Sequence, residues 1–472
     1  MSYKTSVYDF AVIGGGSAGY AAARTAVSLG LSTAVIDGAE TLGGLCILRG
    51  CMPSKTLIES ANRAIVIRRA AEFGLQATGG TADIAAIRER KRALIGEFSS
   101  YRQGQLADGG FALLRGNARF VSPNAVIATD RDGVSQTVEF RTACIATGSE
   151  VNVIPVPGLR ECGFWTSDDI LDAETLPESF IVLGGGAIAL EMAHYLEGIG
   201  RQVTVIQRSG RVLTNMDPEC GTLVAEAFRK RGIAVHCGTA LQKVEKSPAG
   251  KVVTFSTEAG IQTVEAAEIL VATGRSPSTK GLGLDDIGLV RKGGKIEVRD
   301  TMQTSLPHVF AAGDVCSPVD VVHIAIEQGE IAAKNAAALL GGEPLPKRMD
   351  YRLTLFGVFC APQAACVGAT EADLKKAGVP YVTASHPFSD HGKSMVMGET
   401  EGLVKLTAHQ HTGKILGACM VGPEATEIIH EIVVAMAFGA TTAQFLAIPH
   451  YHPTLSEIWT YPAEELAHLA PA

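Results

Sequence analysis

Charge is scarce in this chain. Asp, Glu, Lys and Arg make up 19% of its 472 residues and leave a net charge of −8. No basic tract is present, which argues against a nucleic-acid footprint and against binding to a membrane surface. With 46% apolar residues, the composition excludes a disordered chain and fits globular domains with buried sheets. Cysteine is sparse too. The ten cysteines are scattered, whereas a secreted disulfide scaffold would be shorter and denser. The stretch Met1 to Asp9 is short, polar and without signal-peptide architecture, so a cytoplasmic location is expected. Between Ile432 and Ser456 there is no charged Asp, Glu, Lys or Arg at all. A membrane span would fit there on length. Thr441, Thr442, Gln444, Pro449, His450 and His452 interrupt it, which favours a buried core or a subunit interface.

Glycine is plentiful, at 52 residues, as several tight phosphate-binding turns would require. The length implies two to four domains. An internal repeat organises them. Val12–Asp37 aligns without a gap on Val182–Gln207, at a constant offset of 170. Each copy reads as an apolar strand, a Gly-Gly-Gly turn, an Ala/Leu-rich helix and a second strand, which is a βαβ unit twice over. In the first copy Gly14, Gly16, Ser17, Ala18 and Gly19 carry the dinucleotide fingerprint. In the second the positions are Gly184, Gly186, Ala187 and Ile188, and Ala189 replaces the third glycine. Such glycines permit the tight turn, the approach of a pyrophosphate and close helix–strand packing, and the helix N-terminus faces the phosphates.

The first unit ends in Asp37, where an acid binds ribose hydroxyls. The second ends in Gln207 and Arg208, with Arg211 beyond. Losing the acid and gaining arginine favours a 2′-phosphate, hence NADPH, although Arg208 also reads as a plain surface residue. Two repeated phrases, Ala146-Thr147-Gly148 and Ala272-Thr273-Gly274-Arg275, each follow an apolar strand. Val309 to Val315 is a further buried strand, ending in the turn of Gly313 and Asp314. After Pro346 the character changes. Leu403–Leu406 and Ile415–Val421 suggest antiparallel strands, and the pattern from Thr426 to about Gly439 predicts one apolar helix. The fold class expected is α/β, with two Rossmann-like dinucleotide-binding domains and a C-terminal α+β domain.

The chemistry sits close to the first fingerprint. Cys46 and Cys51 lie in Gly43-Gly44-Leu45-Cys46-Ile47-Leu48-Arg49-Gly50-Cys51-Met52-Pro53-Ser54-Lys55. As zinc ligands they would need partners at metal spacing. Cys360/Cys366 and His450/His452 continue no zinc pattern, so no metal is expected. A redox pair is favoured. Pro53 suits the first turn of a helix beginning near Cys51, where the dipole would stabilise a thiolate. Near the C-terminus, His452 is followed by Glu457, the spacing of an oriented acid–base pair.

Together these motifs resemble those of the flavoprotein pyridine nucleotide–disulfide oxidoreductases, the family of dihydrolipoamide dehydrogenase, glutathione reductase and mercuric reductase. The resemblance runs nearly end to end and is strongest to the dihydrolipoamide dehydrogenase type. It implies FAD on the first unit, with Gly44, Asp37 and Asp314 around it, and NAD(P)H on the second. It implies that Cys51 faces the flavin, that Cys46 meets a lipoyl or other disulfide, and that Lys55 pairs with Glu191 near the flavin. It implies His452, held by Glu457, as an acid–base group supplied by the other subunit of a homodimer. The domains implied are 1–150 and 277–345 for FAD, 151–276 for NAD(P) and 346–472 for dimerisation.

The sequence departs from the family in places. Leu48 and Arg49 replace the usual residues between the cysteines, and Arg49 either faces an anionic substrate or points to solvent. Thr214 stands near the place of a second nucleotide-binding arginine. No vicinal cysteine pair closes the chain, and His452 is kept, which argues against a mercury role. Alternatives to a lipoyl enzyme are an NADPH-dependent reductase of a small disulfide, or a flavoprotein electron-transfer subunit whose partner supplies specificity.

Overall fold

The computed structural model describes residues 5–469, so the terminal run Ala470–Ala472 lies outside the described residues. The chain divides into two compact units. One holds the residues up to Ser54, Glu89–Asn152 and Arg275–Asp350; the other holds Lys55–Arg88, Val153–Gly274 and the residues from Tyr351 onward.

In the first unit, strand Thr5–Ile13 runs parallel to Thr33–Asp37 on one side and to Ser135–Ile145 on the other. Ala112–Arg115 and Val309–Ala311 extend the parallel array, while Ala125–Thr129 joins Ser135–Ile145 antiparallel. Phe10 to Ile13 and Ala34 to Ile36 are buried, as strands covered on both faces must be. The helix Ser17–Ser28 buries Ala18, Ala21, Ala22, Ala23 and Ala26. Small side chains there let another helix, Val322–Gly341, come close: a Cβ on Gly329 would stand 2.2 Å from the Ala18 carbonyl oxygen.

The second unit repeats the motif. Strands Ala234–His236, Gln202–Ile206, Ser179–Leu183, Glu268–Val271 and Trp165–Thr166 form its sheet in that order. The offset of 170 holds at the level of single hydrogen bonds. Gly14 N–H donates to Ile36 O at 2.8 Å, and Gly184 N–H donates to Ile206 O at 2.9 Å. The helices Ser17–Ser28 and Ala187–Gly198 occupy equivalent positions. A three-stranded antiparallel sheet, Ala240–Ser247, Gly250–Thr257 and Gly260–Ala266, adjoins this motif in the same unit.

The C-terminal residues form a five-stranded antiparallel sheet, which includes Leu403–His409 and Ile415–Gly422 as expected. Phe388, Ile429, Phe445, Trp459 and Leu466 make its core. The single helix expected from Thr426 is two helices, Ala425–Ile428 and His430–Ala437. The Ile428 carbonyl accepts from the Trp459 indole N–H at 3.2 Å, and Ile432 N–H turns to Ile429 O. A buried tryptophan thus takes the acceptor that would have continued the ladder. The uncharged stretch is split as well. Ile432 and Phe445 are buried, whereas Phe438 is 86% exposed and Tyr451 83%. Among the described residues no helix is long and apolar enough to cross a membrane.

Candidate functional site

The first fingerprint is built around absent side chains. Gly14 has φ +102°, and a Cβ there would stand 2.5 Å from the Ala146 carbonyl oxygen. A Cβ on Gly19 would stand 1.8 Å from Gly14 O, so the helix packs directly on the turn. Gly16 caps the helix without a side-chain hydrogen bond, and beside its own missing Cβ only the Gly44 Cα lies within 4 Å, at 3.8 Å. Open space at a bare helix N-terminus fits a pyrophosphate. Asp37 closes the loop: its carboxylate accepts from Gly15 N–H and Ala39 N–H, both at 2.7 Å.

The expected companions converge on this cradle within the first unit. Gly313 has φ +81° and lies against Ala18. Asp314 accepts from Ser149 Oγ at 2.6 Å, and Thr147 Oγ1 donates to Ser278 O at 2.7 Å. Gly148, with φ +71°, has nothing near its Cβ position. Arg275 belongs here too, donating to Ser149 Oγ and O at 2.8 and 2.7 Å, and not with the second fingerprint.

The cysteine segment crosses the cradle. A Cβ on Gly44 would stand 2.6 Å from Gly16 Cα, so two backbones touch where the sequence has glycine in both. Cys46 follows on the short helix Gly44–Leu48, and Cys51 begins the helix Cys51–Arg68. Gly50 turns the chain between them; a Cβ there would stand 3.2 Å from Cys46 Cα. The Gly50 carbonyl accepts from Ser54 Oγ at 2.7 Å, which caps the turn. Both thiol residues are half-buried. Leu48 folds back on Gly43, while Arg49 is exposed.

Arg102, on the helix Ile84–Ala107, is a residue that sequence reading missed. Its guanidinium lies over the Tyr20 ring at 4.3 Å, and its Nε and Nη1 are buried without a hydrogen-bond partner among the described residues. Burial pushes its pKa down, and Cys46 is among the groups whose charge acts to raise it. No motif marks it, because it lies far along the chain from both Tyr20 and the cysteines.

In the second unit, Lys55 Nζ donates to both oxygens of Glu191 at 2.9 and 2.7 Å. Glu191 is buried and also accepts from Phe359 N–H at 3.1 Å, while Lys55 sits 4.6 Å from the Phe359 ring centroid. The buried carboxylate is thereby fully partnered. The second fingerprint mirrors the first: Gly184 has φ +124° and would meet Ala272 O at 2.3 Å, and nothing lies near the Cβ positions of Gly186 or Gly274. Ala187 and Ile188 open the helix. Gln207 packs on Gly185, and Arg208 is exposed beyond the strand end. Arg211 donates to the carbonyls of Leu213, Met216 and Thr214, so it is occupied with its own loop.

His452 and Glu457 are brought together as expected. The His452 Nδ1–H donates to the carboxylate at 3.0 and 3.1 Å, which leaves Nε2 for exchange. The His452 side chain is 76% exposed and that of Glu457 only 11%. His450 is held differently, between Ile448 O and Glu431. Burial raises the pKa of Glu431 against the opposing effect of His450. Among the described residues no group of three or more His, Cys, Asp or Glu is placed to hold a metal.

Two family models match the chain: pyridine nucleotide-disulphide oxidoreductase over residues 8–329, and the dimerisation domain of the same family over 356–463. The chain belongs to the pyridine nucleotide–disulfide oxidoreductases. Members use FAD and a pyridine nucleotide, and this chain is an enzyme of that class, lipoamide dehydrogenase-like in sequence. It is 32% identical over 460 residues to the dihydrolipoyl dehydrogenase of Geobacillus stearothermophilus, covering 96% of this chain and 95% of that one. It is 34% identical over 454 residues to the mercuric reductase of Streptomyces lividans, covering 95% and 94%. Among solved structures, LpdA from Mycobacterium tuberculosis matches with TM-score 0.85 at 28% identity, over 97% of this chain and 99% of that one. The flavoprotein disulfide reductase RclA from Escherichia coli shares the fold, with TM-score 0.84 at 23% identity over 98% and 99%.

Proposed function

We propose that this enzyme exchanges electrons between a pyridine nucleotide and a lipoyl or other disulfide substrate through Cys46 and Cys51. The observation that carries this reading is the contact of Gly44 with Gly16, which puts the dithiol segment against the dinucleotide cradle. The residues present fit FAD at that cradle, with Gly14, Gly16, Ser17, Ala18, Gly19 and Asp37 around the phosphates and ribose, and with Thr147, Gly148, Gly313 and Asp314 completing the site. Bound there, FAD would supply two-electron exchange between the nicotinamide and the dithiol.

The chain's own residues do the rest. The Cys46 thiolate attacks a sulfur of the substrate disulfide, and one substrate sulfur leaves as a thiolate. His452 supplies that thiolate with a proton from Nε2 while Glu457 holds Nδ1. The Cys51 thiolate then attacks the mixed disulfide at Cys46, which releases the second substrate sulfur as a thiolate and closes Cys46–Cys51. In the opposite direction the same groups oxidise a dithiol. The exposed His452 on a buried Glu457, together with exposed Phe438 and Tyr451 in the same C-terminal segment, supports a homodimer in which His452 serves the partner's cysteines. The domain division proposed is 1–150 with 277–345 for FAD, 151–276 for NAD(P) and 346–472 for dimerisation. Ten cysteines without a disulfide-scaffold pattern suit a reducing, cytoplasmic compartment.

Two experiments test the reading. In the reduced holoenzyme, Cys46→Ser should keep a long-wavelength thiolate–flavin band, and Cys51→Ser should abolish it; the reverse pattern exchanges the two roles. A steady-state screen with lipoamide, oxidised glutathione and coenzyme A disulfide should identify one substrate. If all three fail while NAD(P)H still reduces the flavin, a partner-dependent electron carrier becomes the better reading. A second reading, an NADPH-dependent reductase of a small disulfide, is favoured by exposed Arg208 at the end of the second βαβ unit.

A further inference from the structure

We infer that His391 is a positioning residue for the acid–base pair of His452 and Glu457, holding the Glu457 carboxylate from the side that His452 leaves open. The inference rests on the proposed role of His452. Its own basis is a buried contact that no motif announced. His391 is completely buried, and among the described residues its Nε2 has no hydrogen-bond partner; the Glu457 Oε1 stands 3.5 Å from it, at ion-pair distance. Nδ1 is engaged by Ser394 Oγ at 2.8 Å, and Ser394 is equally buried.

The carboxylate decides the tautomer. A ring lone pair aimed at Glu457 would be repelled, so Nε2 carries the hydrogen and Nδ1 accepts from the Ser394 hydroxyl. His391 is then a neutral donor. Burial acts in the same sense, pushing its pKa below the ordinary value of 6.5; Glu457 opposes this, and the charges of His386 and His452 add to it. The ring cannot swing away. Phe388 and Tyr461 approach it edge-on, with centroids at 6.3 and 6.2 Å. Tyr461 is in turn stacked on His386, with centroids at 4.1 Å. The titratable groups that face His391 are Glu457 and His452 in the C-terminal segment, Tyr461 on the helix Thr460–Leu469 and His386 on the strand Tyr381–Pro387.

Glu457 therefore stands between two imidazoles of unlike exposure. His452 is outward, where it can serve a thiol; His391 is inward and stays neutral. A carboxylate gripped only by His452 could turn about its side chain as the proton at Nε2 comes and goes. The inner donor keeps its plane fixed. Without it, the His452 imidazolium loses support and stabilises the Cys46 thiolate less well.

The test is the pH dependence of Cys46 alkylation by iodoacetamide in the reduced holoenzyme, a readout that needs no knowledge of the substrate. Glu457→Gln and His452→Ala should move the midpoint upward, toward that of a free thiol. His391→Phe should move it in the same direction by about half a unit or more. It should also lower turnover with whichever of lipoamide, oxidised glutathione or coenzyme A disulfide is used, roughly tenfold. His391→Gln, which restores an N–H near Nε2, should return both toward wild type. If Phe is not accommodated, His391→Met removes the same donor. A wild-type midpoint in His391→Phe or His391→Met, alongside a shifted Glu457→Gln, overturns the inference and leaves the proposed function standing. Wild-type midpoints in both Glu457→Gln and His452→Ala would remove the acid–base role itself.

Discussion

Acidification should weaken the second unit through one histidine, His194. It lies in the helix Ala187–Gly198, fully buried. Its Nε2–H donates to Asn62 Oδ1 at 2.8 Å, and Arg231 Nη1–H donates to its Nδ1 at 3.0 Å. Protonation would bury a charge and break the Arg231 bond. Burial first, then the charges of Arg231 and Arg68, lowers its pKa from 6.5 to about 3. The sign follows from linkage. The unfolded chain takes up this proton below the ordinary histidine value and the folded chain does not, so stability is complete above that value and falls as the pH drops toward about 3. Between about pH 7.5 and 4.5 the loss is about 2 units at ~1.4 kcal/mol each, or about 3 kcal/mol. His194→Gln keeps a donor toward Asn62 and cannot titrate. Urea unfolding at the two pH values, followed through Trp165 and Trp459, reads this unit directly, because both tryptophans of the chain lie in it. Acid also protonates carboxylates, in both proteins alike. Wild type should therefore lose about 3 kcal/mol more than His194→Gln over that interval. Equal losses would refute the argument from burial.

Further outcomes follow from the site. Gly19→Ala places a methyl 1.8 Å from a carbonyl oxygen, so purified protein should lose bound flavin, measured as the ratio of flavin to protein absorbance. Gly96→Ala, in a helix and with nothing near its Cβ position, should keep its flavin and serve as the control. Arg208→Ala should raise KM for NADPH roughly tenfold, the worth of one charge-assisted hydrogen bond, and leave KM for NADH unchanged. A clear NADH preference in the unaltered enzyme would set aside the Arg208 argument. Phe438→Asp should dissociate the dimer in sedimentation velocity and abolish disulfide turnover, while the nicotinamide still reduces the flavin.

The fold was legible where the signal is local. Strand, glycine turn and helix recur at one offset, and the backbone repeats them down to the bonds from Gly14 to Ile36 and from Gly184 to Ile206. The pairs Lys55–Glu191 and His452–Glu457 were legible through the resemblance, since their partners lie in recognisable phrases. What escaped depends on tertiary placement. Nothing near Arg102 marks its place over Tyr20, nor His391 as a neighbour of Glu457. Arg211 looked like a nucleotide contact, yet three carbonyls of its own loop hold it. The break at Ile429 was invisible because its cause, the Trp459 indole, lies thirty residues on.

The contact of Gly44 with Gly16 also bears on how such an enzyme can be altered. Backbone meets backbone there, so no side-chain exchange can loosen or tighten the fit by degrees; any addition separates the dithiol segment from the cradle. That part of the molecule is closed to gradual adjustment. Adjustment by degrees is open instead to side chains of the same unit, such as exposed Arg49 and Arg102 over Tyr20. A search for new specificity would do best to randomise those positions and leave the glycines alone.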